Sequence, residues 1–139
     1  MILLDTSGVV AALFPNQNGH EMCARVLRDD PGPFVLSPFV LAEVDYLIAE
    51  YGSASDELAW LDEVAGGAYD LAPMTAKDVG EAAEVISQFE DLGIGLTDAS
   101  IVVLSRRLRT TRLLSLDERH FRMLTGFRDE PFDFVAQDG

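Results

Sequence analysis

Met1-Ile2-Leu3-Leu4-Asp5-Thr6-Ser7-Gly8-Val9-Val10 opens the chain. Its consecutive apolar residues show no alternation and end in an acid. That pattern reads as a short strand buried on both faces, as strands are in parallel sheets. Immediately afterwards Val9, Val10, Leu13 and Phe14 recur at helical spacing, until Pro15-Asn16-Gln17-Asn18-Gly19 breaks the run. A strand running straight into a helix sets Asp5 at the strand's carboxyl end, which is where open parallel sheets bind ligands.

The same alternation continues outward. A second helix is expected over about 20–29, and Pro31-Gly32-Pro33 turns into a strand at Phe34-Val35-Leu36. Ser37-Pro38 reads as an N-cap followed by proline in the first helical position, opening a helix that runs to Tyr51 and stops at Gly52. Further helices are expected from Ser53 to Ala65, from Thr75 to Glu90, and from a Thr97 cap through Leu108. Strands are expected at Ala68–Ala72, Leu113–Leu116 and Phe132–Val135, with a short helix beginning near Asp117. Strands alternating with helices indicate an α/β fold, a three-layer α/β/α sandwich around a short, mostly parallel sheet. With no repeat, linker or low-complexity tract, residues 1–139 are expected to form one domain.

Bulk properties narrow the function. Residues of the AVILMFWYC set make up 48% of the chain, enough for a globular core. No apolar run approaches the ~20 residues that span a bilayer. The N-terminus lacks a basic n-region, and Cys23 is the only cysteine, so a cytoplasmic, disulfide-free protein is expected. There is no CxxC and no HExxH to hold zinc.

Charge is the awkward clue. Twenty-four acids against ten Lys and Arg give a net charge of −14, whereas a protein that simply grips nucleic acid is usually basic. Yet Arg106, Arg107, Arg109, Arg112, Arg119, Arg122 and Arg128 face only Asp117 and Glu118 in the same stretch. The stretch reads either as a locally positive patch or as a solvated helix face.

Four acids stand out. Asp5 and Asp117 each follow an apolar strand, Asp98 opens a helix, and Glu43 lies within one. Asp5 and Asp117 can serve as helix caps, and Asp98 can complement a helix dipole. Glu43 is harder to dismiss. On a helical wheel it falls between Phe39 and the Val40 and Leu47 side, at the margin of the apolar face, where an unpaired carboxylate is costly. Asp45 points the other way and is expected in solvent. No Lys precedes Lys77. Carboxylates that converge without basic partners repel one another, and a hard divalent cation relieves this. Such an ion can activate water and stabilise charge on a phosphate without a protein nucleophile. Asp5-Thr6-Ser7 lacks the Asp-x-Asp of haloacid-dehalogenase-like phosphatases, and the only Lys, Lys77, does not suit a receiver domain.

Read together, Met1-Ile-Leu-Leu-Asp5-Thr-Ser, Leu36-Ser-Pro-Phe-Val-Leu-Ala-Glu43-Val, Gly95-Leu-Thr-Asp98-Ala-Ser-Ile-Val-Val and Leu113-Leu-Ser-Leu-Asp117-Glu-Arg-His-Phe121 resemble the PIN-domain nucleases. The resemblance is closer still to the VapC-type toxins of bacterial toxin–antitoxin pairs, and it covers nearly the whole chain. It implies that Asp5, Glu43, Asp98 and Asp117 are the catalytic, metal-binding acids, with Mg²⁺ (or Mn²⁺) as cofactor. It implies endonucleolytic cleavage of RNA, a homodimer, and a VapB-type antitoxin whose C-terminal segment covers the site. Thr6 and Ser115 match polar positions beside the acids and are expected to hydrogen-bond them. Arg106, Arg107, Arg109 and Arg112 are expected to position RNA phosphates. His120 is expected to pack or hydrogen-bond locally rather than act as a general acid. Two departures stand out: Ala99-Ser100-Ile101 follow Asp98 where many relatives carry another acid, and Ser115 stands where many have Thr. The competing reading is a non-catalytic module of this fold, binding a protein through a groove formed by the helices around 9–14 and 39–60.

Overall fold

The computed structural model describes residues 1–137. Strand β1 (Ile2–Leu4) leads into α1 (Thr6–Leu13) and α2 (His20–Asp29). Next come β2 (Phe34–Leu36), α3 (Pro38–Tyr51), α4 (Ala54–Ala65) and β3 (Asp70–Leu71). Then α5 (Ala76–Gln88), a 3₁₀ turn (Glu90–Leu92) and α6 (Leu96–Leu108) precede β4 (Arg112–Leu114). The chain finishes with α7 (Glu118–Phe121), a second 3₁₀ turn (Phe127–Asp129) and β5 (Asp133–Phe134).

The five strands lie in the order β3-β2-β1-β4-β5, and every pairing is parallel. The expected α/β architecture is therefore correct, and the sheet is wholly rather than mostly parallel. Ile2, Leu3 and Leu4 are all buried, so β1 is covered on both faces, as its unbroken apolar run requires. From β1 the chain winds outward through β2 to β3, then returns past β1 to add β4 and β5 on the other side. Right-handed crossovers put helices reached by opposite directions of travel on opposite faces. The reversal makes the β1/β4 boundary the switch point of the sheet.

Local signals hold the ends. Ser37 Oγ accepts from the Phe39 N–H at 3.1 Å, with Pro38 in the first turn of α3. Ser53 and Asp56 cap α4 reciprocally, at 3.1 and 3.0 Å. Gly8 is needed for space: a Cβ there would meet the Leu114 carbonyl oxygen at 2.5 Å. Its absence lets α1 lie against the end of β4, drawing the loops after β1 and β4 together.

The differences from expectation lie at element ends. α6 begins at Leu96 with Gly95 as its cap and no side-chain cap bond, so Thr97 sits inside the first turn. β3 shrinks to two exposed residues, because this edge strand pairs only with β2. β4 starts one residue earlier than expected and ends two earlier, at Leu114, and β5 keeps only Asp133 and Phe134. Among the described residues no helix is long and apolar enough to cross a membrane.

Candidate active site

The carboxyl ends of β1 and β4 meet at the switch point, and the acids gather there. Asp5 occupies the N-cap position of α1, yet its side chain makes no cap bond. Its Oδ2 instead accepts hydrogen bonds from Ser7 Oγ at 2.8 Å and Ser115 Oγ at 2.7 Å. Ser7 also accepts from the Leu116 N–H at 2.9 Å, so one hydroxyl ties α1 to the turn after β4. Asp5 is only 4% exposed. Burial pushes its pKa up, against the lowering effect of Ser115, Ser7 and the Thr6 backbone, while Asp117 adds to the rise.

Asp98 comes from the first turn of α6. Burial, with Asp5, Asp117 and Glu43 as neighbouring charges, raises its pKa to about 6, while His120 opposes the shift. Asp117 caps α7, its Oδ1 accepting from the His120 N–H at 3.3 Å. The cap fixes the carboxylate, whose Oδ2 lies 3.2 Å from His120 Nδ1. The same nitrogen lies 3.3 Å from Asp98 Oδ2. Ligand atoms of Asp98, Asp117 and His120 all fall within 4.8 Å of one another. Among the described residues no Lys or Arg forms an ion pair with Asp5, Glu43, Asp98 or Asp117.

Four expectations need correction. Glu43 is exposed rather than half-buried. The buried stripe of α3 is the narrow row Val40, Val44, Ile48, so Glu43 reaches the mouth of the site, where its charge still acts on Asp98. Asp45 is not solvated: it is half-buried with its Oδ1 shut away from water, and its proximity raises the pKa of Glu57 on α4. Thr6 Oγ1 is buried without a hydrogen-bond partner, and Ser7 makes the bond to Asp5 expected of its neighbour. The signal for Ser7 was a hydroxyl two residues after an acid at a helix start, a spacing that favours local side-chain bonds.

The fourth concerns the arginines. Arg106, Arg107 and Arg109 sit at the C-terminal end of α6, with Arg106 about 12 Å along the axis from Asp98. Arg112 opens β4, at the amino ends of the strands, away from the acids. Arg107 binds Asp78 at 3.0 Å and the Pro73 carbonyl at 2.9 Å, while Arg112 binds Asp30 at 3.0 Å. The structure does not bring these four to the carboxylates. Arg119 and Arg122 follow Asp117 on and after α7, and Arg122 is ion-paired with Glu118 at 2.6 Å. The Arg122 guanidinium lies 5.3 Å from the Phe134 ring centroid, at a cavity of about 550 Å³ that Ser115 and Glu118 also line.

The chain that carries this site is matched by a family model: the PIN domain model covers residues 2–125. This chain belongs to the PIN domain family. As a PIN protein it is similar to Ribonuclease VapC26 of Mycobacterium tuberculosis (strain ATCC 25618 / H37Rv), 38% identical over 88% of this chain and 91% of the relative. Its fold resembles the crystal structure of Mycobacterium tuberculosis VapC20, described as a sarcin-ricin loop cleaving toxin. There the TM-score is 0.78 at 19% identity, over 84% of this chain and 90% of that one. It also resembles VapBC2 from Rickettsia felis, solved bound to a promoter DNA fragment, with a TM-score of 0.65 at 19% identity over 96% and 98% of the two chains.

The donor set of this PIN domain fits a hard divalent cation. Mutually repelling carboxylates, with raised pKa values on Asp5 and Asp98 and, among the described residues, no Lys or Arg ion pair, are relieved by such an ion.

Proposed function

We propose that this PIN-domain protein is a metal-dependent endoribonuclease, one domain over 1–139, acting as the toxin of a toxin–antitoxin pair. The observation that carries the reading is the convergence of Asp5, Asp98 and Asp117 at the β1/β4 switch point without a Lys or Arg partner among the described residues. The 38% identity to Ribonuclease VapC26 supports RNA as the substrate.

Asp5 and Asp98 would hold Mg²⁺ (or Mn²⁺) directly. Glu43, at the mouth, would complete the site or orient the attacking water, and Asp117 would join directly or through water. The ion supplies an acidified water and positive charge for the phosphate. The chain supplies the rest. Ser7 and Ser115 fix Asp5 Oδ2, and their hydrogen bonds favour the ionised carboxylate against the cost of burial. The α7 cap orients Asp117. Arg122, released from its pair with Glu118, would meet a phosphate flanking the cut, whereas RNA contacts from Arg106 and Arg109 would lie a helix length away. A body of net charge −14 disfavours casual nucleic-acid binding and makes association depend on salt.

The partners proposed are an RNA substrate, a VapB-type antitoxin and a second copy of this chain, in the cytoplasm. A groove lined by Val10, Ala11, Leu47, Tyr51 and Leu116 reaches Ser7 beside Asp5. This supports a partner segment lying over the site. The groove suits the non-catalytic reading as well, but that reading leaves the repelling acids unexplained.

The test is cleavage of a structured RNA by the purified protein with Mg²⁺ or Mn²⁺, with chelator, and as Asp5→Asn. Cleavage that needs both metal and Asp5 is expected. Growth arrest in cells that persists in Asp5→Asn would overturn the catalytic reading.

A further inference from the structure

We propose that His120 is a nitrogen ligand of the metal centre and biases it toward Mn²⁺ over Mg²⁺. The proposal rests on the reading of the acids as a metal site. His120 Nδ1 lies 3.3 Å from Asp98 Oδ2 and 3.2 Å from Asp117 Oδ2. A histidine that merely positioned one carboxylate would direct its N–H along a single hydrogen bond. Here Nδ1 is buried and has no aligned hydrogen-bond partner, although two carboxylate oxygens crowd it. A buried polar nitrogen left without an aligned partner carries a desolvation cost. An ion shared with Asp98 and Asp117 removes that cost, since the three ligand atoms already lie within 4.8 Å of one another.

The scaffold holds the imidazole in place. The backbone N–H of His120 donates to Asp117 Oδ1, so carboxylate and ring ride on one turn, and the next residue, Phe121, is fully buried and packs edge-on against Phe132 at 5.5 Å. Asp98 approaches from α6 on a separate element. Donor chemistry then decides the consequence. Carboxylate oxygens serve Mg²⁺ and Mn²⁺ alike, whereas imidazole nitrogen favours transition-metal ions. Magnesium is further handicapped because it gives up its waters reluctantly.

The deciding experiment is electron spin-echo spectroscopy of the Mn²⁺-loaded protein, which reads directly bound ¹⁴N and needs no variant. Modulation from one imidazole nitrogen is expected, and it should vanish in His120→Asn. In parallel, Mn²⁺ and Mg²⁺ are titrated against the melting temperature of both proteins. His120→Asn should weaken Mn²⁺ by about tenfold, in the range seen when support for a metal site is lost, with Mg²⁺ nearly unchanged. Mn²⁺ bound without nitrogen modulation, or equal weakening of both metals, would overturn the proposal. If neither metal stabilises the parent, and Asp98→Asn behaves identically, the metal-site reading itself falls and the role of His120 with it.

Discussion

Ser115 Oγ donates a 2.7 Å hydrogen bond to Asp5 Oδ2, joining the carboxyl ends of two adjacent parallel strands that are 110 residues apart in sequence. The bond is buried and stands first among the influences that oppose the burial-driven rise in the Asp5 pKa. Ser115→Ala should therefore drive that pKa further up and weaken metal binding by about tenfold. Ser115→Thr, which keeps the hydroxyl, should retain most of it. Melting temperature against Mn²⁺ concentration checks both variants.

Asp98→Asn should stabilise the metal-free protein at pH 7 and abolish most of its stabilisation by metal. The sign follows from the raised pKa, about 6 against 3.8. Between these values the native state keeps a proton that the unfolded chain has released, so this group makes stability fall as pH rises through the window. Above about pH 6 the penalty is fully present. Melting curves of metal-free protein from pH 4 to 7 should fall less steeply for the variant than for the parent. Metal must displace the same proton, so its affinity for the parent should drop as pH falls below about 6.

Gly8→Ala should destabilise the fold by about 1–3 kcal/mol, the usual range for overpacking. The new methyl meets backbone, the Leu114 carbonyl at 2.5 Å, and cannot be accommodated by a rotamer change. Because α1 and β4 must then separate, the Asp5–Ser115 bond should suffer with it. Urea unfolding gives the first effect and metal titration the second.

Arg106→Gln combined with Arg109→Gln should leave kcat for RNA cleavage unchanged, with any effect confined to KM and erased by added salt. Arg122→Gln should lower activity at low salt. Arg107→Gln should cost stability instead, about 1 kcal/mol or less for a partly exposed pair, because Arg107 links α6 to Asp78 on α5 and to Pro73 before it. Steady-state kinetics at two salt concentrations, with thermal melts, separate these outcomes.

Much of the site was legible because its acids occupy positions with local signatures. Asp5 and Asp117 end apolar runs, and Asp98 starts a periodic helix. What failed was orientation within a turn. Thr6 and Ser7 differ by about 100° around the helix, and only the packing of α1 on β4 decides which hydroxyl reaches Asp5. Glu43 and Asp45 flank Val44 in the same way. The helical wheel drew the apolar face of α3 too wide, around Phe39, Val40 and Leu47 rather than the buried row Val40, Val44, Ile48, and could not show α4, whose Glu57 lies beside Asp45. His120 read as a locally packed residue because its second neighbour, Asp98, is distant in the chain.

The sequence by itself determined the alternation of strands and helices, the burial of β1, most helix ends and which acids stand at the ends of β1 and β4 and at the start of α6. These rest on periodicity, caps and turn residues that act over a few positions. Only the tertiary structure decided the order β3-β2-β1-β4-β5, which turns the ends of β1 and β4 into one site and sends Arg106, Arg107, Arg109 and Arg112 to the other end of the molecule. The physical reason is range. Periodicity fixes which way a side chain points from its own element, while the charge and hydroxyls it meets there belong to elements brought close only when the whole core packs.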